Sequence, residues 1–368
     1  MDFKRRDVLG GIAATSILAT SGINKVAYAA NKIPEISAST RTLFNRSIVI
    51  DTLSAGRNFD ESQFNAIKPS GYTGIQTSLN NRGLKVAMDD LIEWQGRIKG
   101  NSDQLIQVDG TDDFSKAKKD GKLAVMLGFQ NGTIFENDVD NVDILYELGT
   151  RCVQLTYNSR NLIGDGCTER TNAGLSDFGV EIVHRMNELG IIVDLSHCGK
   201  QTSYDGVELS QKPAAFTHTF CESLYNDHPR AKTDEQLKHI ADKGGMVGIA
   251  ALGYFVGPDP DGETTIQTYV DHVEHAIKVC GIDHVGVCTD FAIGGLKPWA
   301  TRENWYEPRL KIFDPSYQVR WPPYITGLDE PERFLNVTQI LVNRGYSEDG
   351  IEKILGLNWM KYFKEVIG

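Results

Sequence analysis

Short runs of β-branched and apolar residues recur along the chain, separated by stretches with helical spacing. They read SIVIDT (47–52), YTGIQTS (72–78), KLAVMLGFQ (122–130), RCVQLTYN (151–158), GIIVDLSH (190–197), AAFTHT (214–219), GMVGIAA (245–251) and DHVGVCTDF (283–291). Several are nearly continuous in apolar character, as expected of strands buried on both faces. Between them, LSDFGVEIVHRMNELG (175–190) places Phe178, Ile182, Val183, Met186 and Leu189 on one helical face and stops at Gly190. TDEQLKHIADKGG (233–245) and TTIQTYVDHVEHAIKVCG (264–281) each open on a capping side chain and close on glycine. Eight strands alternating with helices, without an internal repeat, predict an α/β fold: a single (β/α)8 TIM-like barrel. A doubly wound sheet often carries a glycine-rich phosphate turn after its first strand, which IDTLSAG does not supply.

Barrels of this kind build their sites at the C-terminal ends of the strands. Here those ends carry Gln130, Tyr157, Asn158, His197, His218 and Asp290. A lone histidine at a strand end is ordinarily just hydrogen-bonded there. The pair is different, because SHC and HTF repeat the pattern on successive strands. Two neutral imidazoles on adjacent strand ends can converge on one ion, and nitrogen ligands suit Zn²⁺ and its neighbours.

The 368 residues are 40% hydrophobic and 24% charged, enough for a sizeable core, and the net charge of −11 argues against a nucleic-acid-binding surface. The start of the chain reads as a leader. Lys4-Arg5-Arg6 precedes a mild apolar stretch from Val8 to Ala19 and an Ala27-Tyr28-Ala29 cleavage pattern. That stretch is too short for a stable membrane anchor. The twin arginine predicts a Tat-type signal over 1–29, a lead-in over 30–45 and the barrel over 46–368, in a bacterial protein exported to the periplasm. Six cysteines without CxxC spacing argue against structural zinc and predict buried thiols with at most one disulfide.

From about residue 46 onward the chain resembles the membrane (renal) dipeptidase family, metal-dependent peptidases on a (β/α)8 barrel. The resemblance rests on GLSDFGVEIVHRMNELGIIVDLSH, FTHTFCESLYNDHPRAKTDEQLKHIADKGGMVGI, HVGVCTDF and ILGLNWMKYF. It implies that His197 and His218 are ligands of one metal, that Arg230 of DHPR contacts substrate, and that Asp290 of TDF transfers protons. It also implies a homodimer. The other half of the family's binuclear centre is missing. Leu53 and Ala55 in DTLSA stand where a His and an Asp would bind metal, and Gln130 in LGFQNG replaces the bridging Glu. Tyr157 replaces a further substrate-contacting His.

Three readings follow. In the first, an exported hydrolase uses one zinc ion on His197, His218 and Gln130, with Asp290 and Tyr157 catalytic and Arg230, Tyr157 and Asn158 binding a dipeptide or small amino-acid derivative. A thiolate from Cys167 or Cys198 is a lesser option as a further ligand. In the second, the same pocket performs acid–base tailoring of a peptide-derived metabolite without hydrolysis. In the third, it only binds a ligand. The aromatic- and proline-rich segment 305–330 is expected to be a long loop that walls the pocket or serves an interface. The polar segment 164–174 is expected to be a lid or a surface loop.

Overall fold

The computed structural model describes residues 33–54, 59–224, 228–257 and 264–368, so the leader over 1–29 and Ala55 lie outside the described residues. Nine strands form: β1 (Ile50–Ser54), β2 (Gly74–Leu79), β3 (Leu105–Gln107), β4 (Leu123–Phe129), β5 (Thr150–Gln154), β6 (Ile192–Asp194), β7 (Ala215–Thr219), β8 (Met246–Ile249) and β9 (Val285–Val287). Eight of them run in the order β1-β2-β4-β5-β6-β7-β8-β9 with every neighbour parallel. These are the eight expected from the apolar runs. The extra strand, β3, pairs Leu105 to Gln107 with the first half of β4, whereas β5 takes the second half. Its single fully buried position, Leu105, gave no apolar run to read.

The sheet closes between its first and last strands through the residues after β9. The Asp290 N–H donates to the Leu53 carbonyl at 3.0 Å, and the Thr289 N–H and hydroxyl donate to the Asp51 carboxylate at 3.0 and 2.5 Å. This is a nearly closed parallel (β/α)8 barrel.

Helix boundaries follow the capping chemistry. Ser176 caps Asp177–Leu189, which ends at Gly190 in the left-handed region (φ 82°), where glycine carries no Cβ penalty. Thr233 and Gln236 form a reciprocal capping box on Asp234–Asp242, and Thr265 caps Ile266–Cys280.

The barrel floor is apolar. Ile50, Met126, Cys152, Ile192, Ala215 and Met246 form one buried cluster with Trp359 of the C-terminal helix Asn358–Val366. The indole lies so close to Gly286 of β9 that a Cβ there would sit 2.1 Å from Nε1, so only glycine admits the plug. Two residues further along each strand, on the same inward face, come Gln154, Asp194 and Thr217, all buried. Polarity thus rises from the floor toward the C-terminal ends, where the site is built.

The segment after β9 is more ordered than a loop. It forms a π-helical turn (Arg302–Tyr306), a short helix (Glu307–Ile312) and a 3₁₀ turn (Pro315–Tyr317). Residues 164–174 are tied down around the buried Asp165. Its carboxylate accepts from Arg160 Nε at 2.6 Å, Thr171 Oγ1 at 2.7 Å and the Ala173 N–H at 2.6 Å. The Arg160 guanidinium holds its pKa down at about 2.

Candidate active site

His197 follows β6 and His218 lies in β7, both buried, and their Nε2 atoms stand 3.0 Å apart. The far side of each ring fixes its tautomer. His197 Nδ1 is 2.7 Å from Asn158 Oδ1, which as a carbonyl oxygen accepts its N–H. His218 Nδ1 is 2.8 Å from Thr217 Oγ1, and the Thr217 hydroxyl donates to Asp194 Oδ2 at 2.7 Å. With its hydrogen committed to the carboxylate, that hydroxyl accepts from His218 Nδ1–H. Both protons therefore sit on Nδ1, and two bare Nε2 lone pairs face each other. Burial and the positive charge of Arg230 push both imidazoles well below the usual histidine range, so neither ring carries an extra proton at neutral pH.

Asp194 anchors this arrangement. It also accepts from the Ser196 N–H (3.0 Å) and hydroxyl (2.5 Å) and from the Thr217 N–H (3.2 Å), while burial pushes its pKa up against those bonds. Nearby, the guanidinium of Arg230 is wholly buried. It donates to the carbonyls of Ser196 and, at 2.6 Å, His218, with its charge over the Phe255 ring at 5.5 Å. The residue expected to grip a substrate carboxylate thus binds the two backbone segments that carry the histidines. Lys232 does similar work, donating to the Cys198 carbonyl at 2.9 Å, and burial lowers its pKa to about 8.

Tyr157 lies flat on His197, ring centroids 4.1 Å apart and planes 19° apart, and its other side faces a cavity of about 920 Å³. Gln130, Asp290 and Tyr254 share that wall, and Trp305, Phe313 and Tyr317 from the segment after β9 complete it. Asp290 is half-buried, and desolvation raises its pKa to about 7 against the opposing pull of Arg230 and Arg309. Asn158 (φ 59°) and Asp290 (φ 72°) both adopt left-handed backbone, which non-glycine residues occupy only at a cost of roughly 1–2 kcal/mol. The fold holds two strained residues at the expected site.

The donor set offers two neutral imidazole nitrogens to a metal ion. Two unprotonated imidazole nitrogens pointing at each other repel unless a cation lies between them, and neutral nitrogen donors suit Zn²⁺. For a second ion the ligands are lacking. Leu53 is buried and offers no donor atom, and among the described residues no three His, Cys, Asp or Glu side chains gather as a cluster. Gln130 stands on the cavity wall, and among the described residues no hydrogen bond joins its side chain to either histidine; its backbone carbonyl accepts from Gln154 at 2.5 Å. All six cysteines are free thiols. The Cys167 thiol lies 3.4 Å from Asn158 Oδ1, one residue removed from His197, and Cys198 is buried behind it.

Sequence reasoning brought together His197, His218, Asn158 and Tyr157, with Asp290 lining the same cavity as Tyr157. It missed Asp194 and Thr217 as supports for His218, although polar residues at inward positions of otherwise apolar strands were a legible signal. It also missed Arg309, which nothing local distinguishes from other surface arginines.

Comparison with known proteins agrees with this architecture. The family model described as membrane dipeptidase (peptidase family M19) matches residues 21–301. Dipeptidase tcpJ of Claviceps purpurea is 26% identical over 300 residues, covering 81% of this chain and 64% of that protein. Dipeptidase verJ of Clonostachys rogersoniana is 28% identical over 286 residues, covering 77% and 66%. The chain thus spans less than two thirds of the length of these relatives. A crystal structure of an amidohydrolase from Pseudomonas aeruginosa superposes with a TM-score of 0.78 at 34% identity, over 89% of this chain and 98% of that one. With three quarters of its length matched by one family model and the barrel that goes with it, the chain belongs to the membrane dipeptidase family, peptidase family M19.

Proposed function

We propose that this chain is a metal-dependent hydrolase that cleaves an amide bond in a dipeptide or small amino-acid derivative, using one ion rather than two. The observation that carries the reading is the pair of bare Nε2 atoms 3.0 Å apart, each held in its tautomer by a bond on the opposite nitrogen. His197 and His218 would hold the ion. When bound, such an ion supplies Lewis-acid polarisation of a carbonyl and water of lowered pKa. Asp290, with a pKa of about 7, is matched to take a proton at neutral pH and return it to a leaving amine. Tyr157 covers His197 and lines the cavity, whose wall is largely aromatic on the side of the segment after β9. Arg230 positions the histidines through the two carbonyls it holds.

The test is elemental analysis of the purified full chain beside the double variant His197→Ala/His218→Ala, with release of free amino acid from dipeptides as the second readout. About one zinc per chain, lost with activity in the double variant, is expected for one such site. Two ions per chain, or activity in metal-free protein, would overturn the reading.

One observation favours an alternative. His197 sits beneath Tyr157 and neither histidine is among the residues lining the cavity, whereas Asp290 and Tyr157 are. Acid–base chemistry on a small metabolite by those two residues, without hydrolysis, is supported by that placement, and retained turnover in the double-histidine variant would select it. The reading also includes export. The basic leader and Ala27-Tyr28-Ala29 support it, and cell fractionation of full-length against Arg5→Lys/Arg6→Lys chains tests it.

A further inference from the structure

Arg230 is engaged in the interior, which leaves the question of what meets the anionic end of a ligand. The cavity has one Lys, Arg or His among its described lining residues, Arg309 in the helix after β9. Its guanidinium lies over the indole of Trp305, 4.0 Å from the ring centroid, and Nη1 donates to the Trp305 carbonyl at 2.9 Å. The stacked plane and the backbone bond fix the fork. Nε and Nη2 have no hydrogen-bond or ion-pair partner among the described residues, so two parallel donors remain for a planar anion, the geometry that suits a carboxylate.

Two acidic residues share this wall with Arg309. Asp60 turns one oxygen, Oδ1, to capping Glu61–Ser70, accepting there from the Ser62 N–H at 3.0 Å and hydroxyl at 2.5 Å and from the Gln63 N–H at 3.3 Å. Asp290 feels the charge of Arg309, which pulls its pKa down, but among the described residues the two form no ion pair within 4 Å. The remainder of the wall near Arg309 is aromatic: Trp305, Phe313, Tyr317 and Tyr254.

We propose that Arg309 receives the carboxylate of the ligand, and that the cavity takes a small carboxylate-bearing molecule with an aromatic or bulky apolar body, of the N-acyl amino acid or aromatic dipeptide class. This deepens the hydrolase reading by naming the ligand class of the same cavity. Arg309 is a binding and specificity residue; it does not transfer protons.

The experiment measures binding, so it stands whether or not the protein hydrolyses anything. N-benzoylglycine and N-benzoylglycinamide are titrated into the full chain by calorimetry, for wild type, Arg309→Ala, Arg309→Gln and Arg309→Lys, with thermal melts to verify folding. Wild type is expected to bind the acid about tenfold or more tighter than the amide, as a charge-assisted bidentate contact implies. Alanine and glutamine at 309 are expected to bring the two probes to within about threefold while leaving the amide's affinity unchanged, and lysine to restore part of the preference. An acid preference that survives both neutral variants, equal binding of the two probes by wild type, or binding of neither at millimolar concentration would each overturn the proposal. Failure of the hydrolase reading would appear instead as intact binding without turnover.

Discussion

Asp194 reaches His218 through a hydroxyl: Thr217 Oγ1 stands 2.7 Å from the carboxylate and 2.8 Å from the imidazole Nδ1, while the direct separation is 3.8 Å. A carboxylate touching the ring would pull the Nδ1 proton directly. The intervening threonine fixes ring orientation and tautomer while sharing the charge with Ser196.

Removing that hydroxyl should release the ring. Thr217→Val keeps the shape but leaves His218 Nδ1 and one Asp194 oxygen without their partner, at a cost of about 1–3 kcal/mol. Under the proposed one-ion reading, zinc affinity is expected to fall roughly 10–100-fold, the usual effect of losing an outer partner of a metal-binding histidine. Competitive chelator titration beside a denaturant melt reads both quantities, and unchanged affinity would show that the hydroxyl does not orient the ring.

Asn158 combines a left-handed backbone with the bond to His197, and two substitutions separate these roles. Asn158→Gly relieves the backbone and loses the bond; Asn158→Ala loses the bond and keeps the strain. Alanine is therefore expected to be about 1 kcal/mol less stable than glycine in a chemical denaturation series, with both equally weakened in zinc binding. Equal stability of the two would remove the strain argument.

The pKa of Asp290, about 7 in the folded protein against 3.8 for the ordinary carboxyl, sets a pH dependence of definite sign. The native state holds this proton more tightly than the unfolded chain, so stability falls as pH rises from about 4 to about 7 and is flat above. Asp51, raised by burial to about 6, acts in the same direction over the lower part of that window. Asp290→Asn should melt higher than wild type at pH 8, by roughly 1–3 kcal/mol of added stability, and differ little at pH 4. Under the hydrolase reading the same variant loses the rise in kcat/KM through neutral pH and roughly 10²–10⁴-fold in rate. A melting difference independent of pH would refute the assignment.

Arg333 is a structural residue that does not line the cavity. Fully buried, it donates to the carbonyls of Leu328 at 2.6 Å and Ile293 at 2.7 Å and to the Tyr72 hydroxyl at 3.0 Å. Arg333→Met fills similar space but strands two carbonyls, and is expected to cost about 3–5 kcal/mol in denaturant titration while leaving zinc content per folded chain unchanged.

The sequence carried the barrel because each strand is an apolar run punctuated by capped helices, and periodicity survives without tertiary context. It located His197 and His218 because their strand-end position is a property of local order. Arg230 was harder. Its motif indicates a role at the site, yet only packing shows its N–H groups turned toward the Ser196 and His218 carbonyls. Tyr157 stacking on His197 and Arg309 stacking on Trp305 are through-space relationships between residues 40 and 4 positions apart, and no spacing rule distinguishes either from a surface contact. β3 was invisible because a three-residue strand with one buried position has no period to detect.

The family model ends at residue 301, and Trp305, Arg309, Phe313 and Tyr317 all follow it on the strap after the last strand. The cavity is therefore walled from two stretches of chain, the strand ends that carry Tyr157 and Asp290 and the strap that carries Arg309. Strand ends are tied into the barrel's hydrogen bonds, so drift there endangers folding; a strap laid across the mouth has no such obligation. A change at Arg309, a side chain outside the strand hydrogen bonds, is thus expected to alter which molecule binds while leaving the barrel closed.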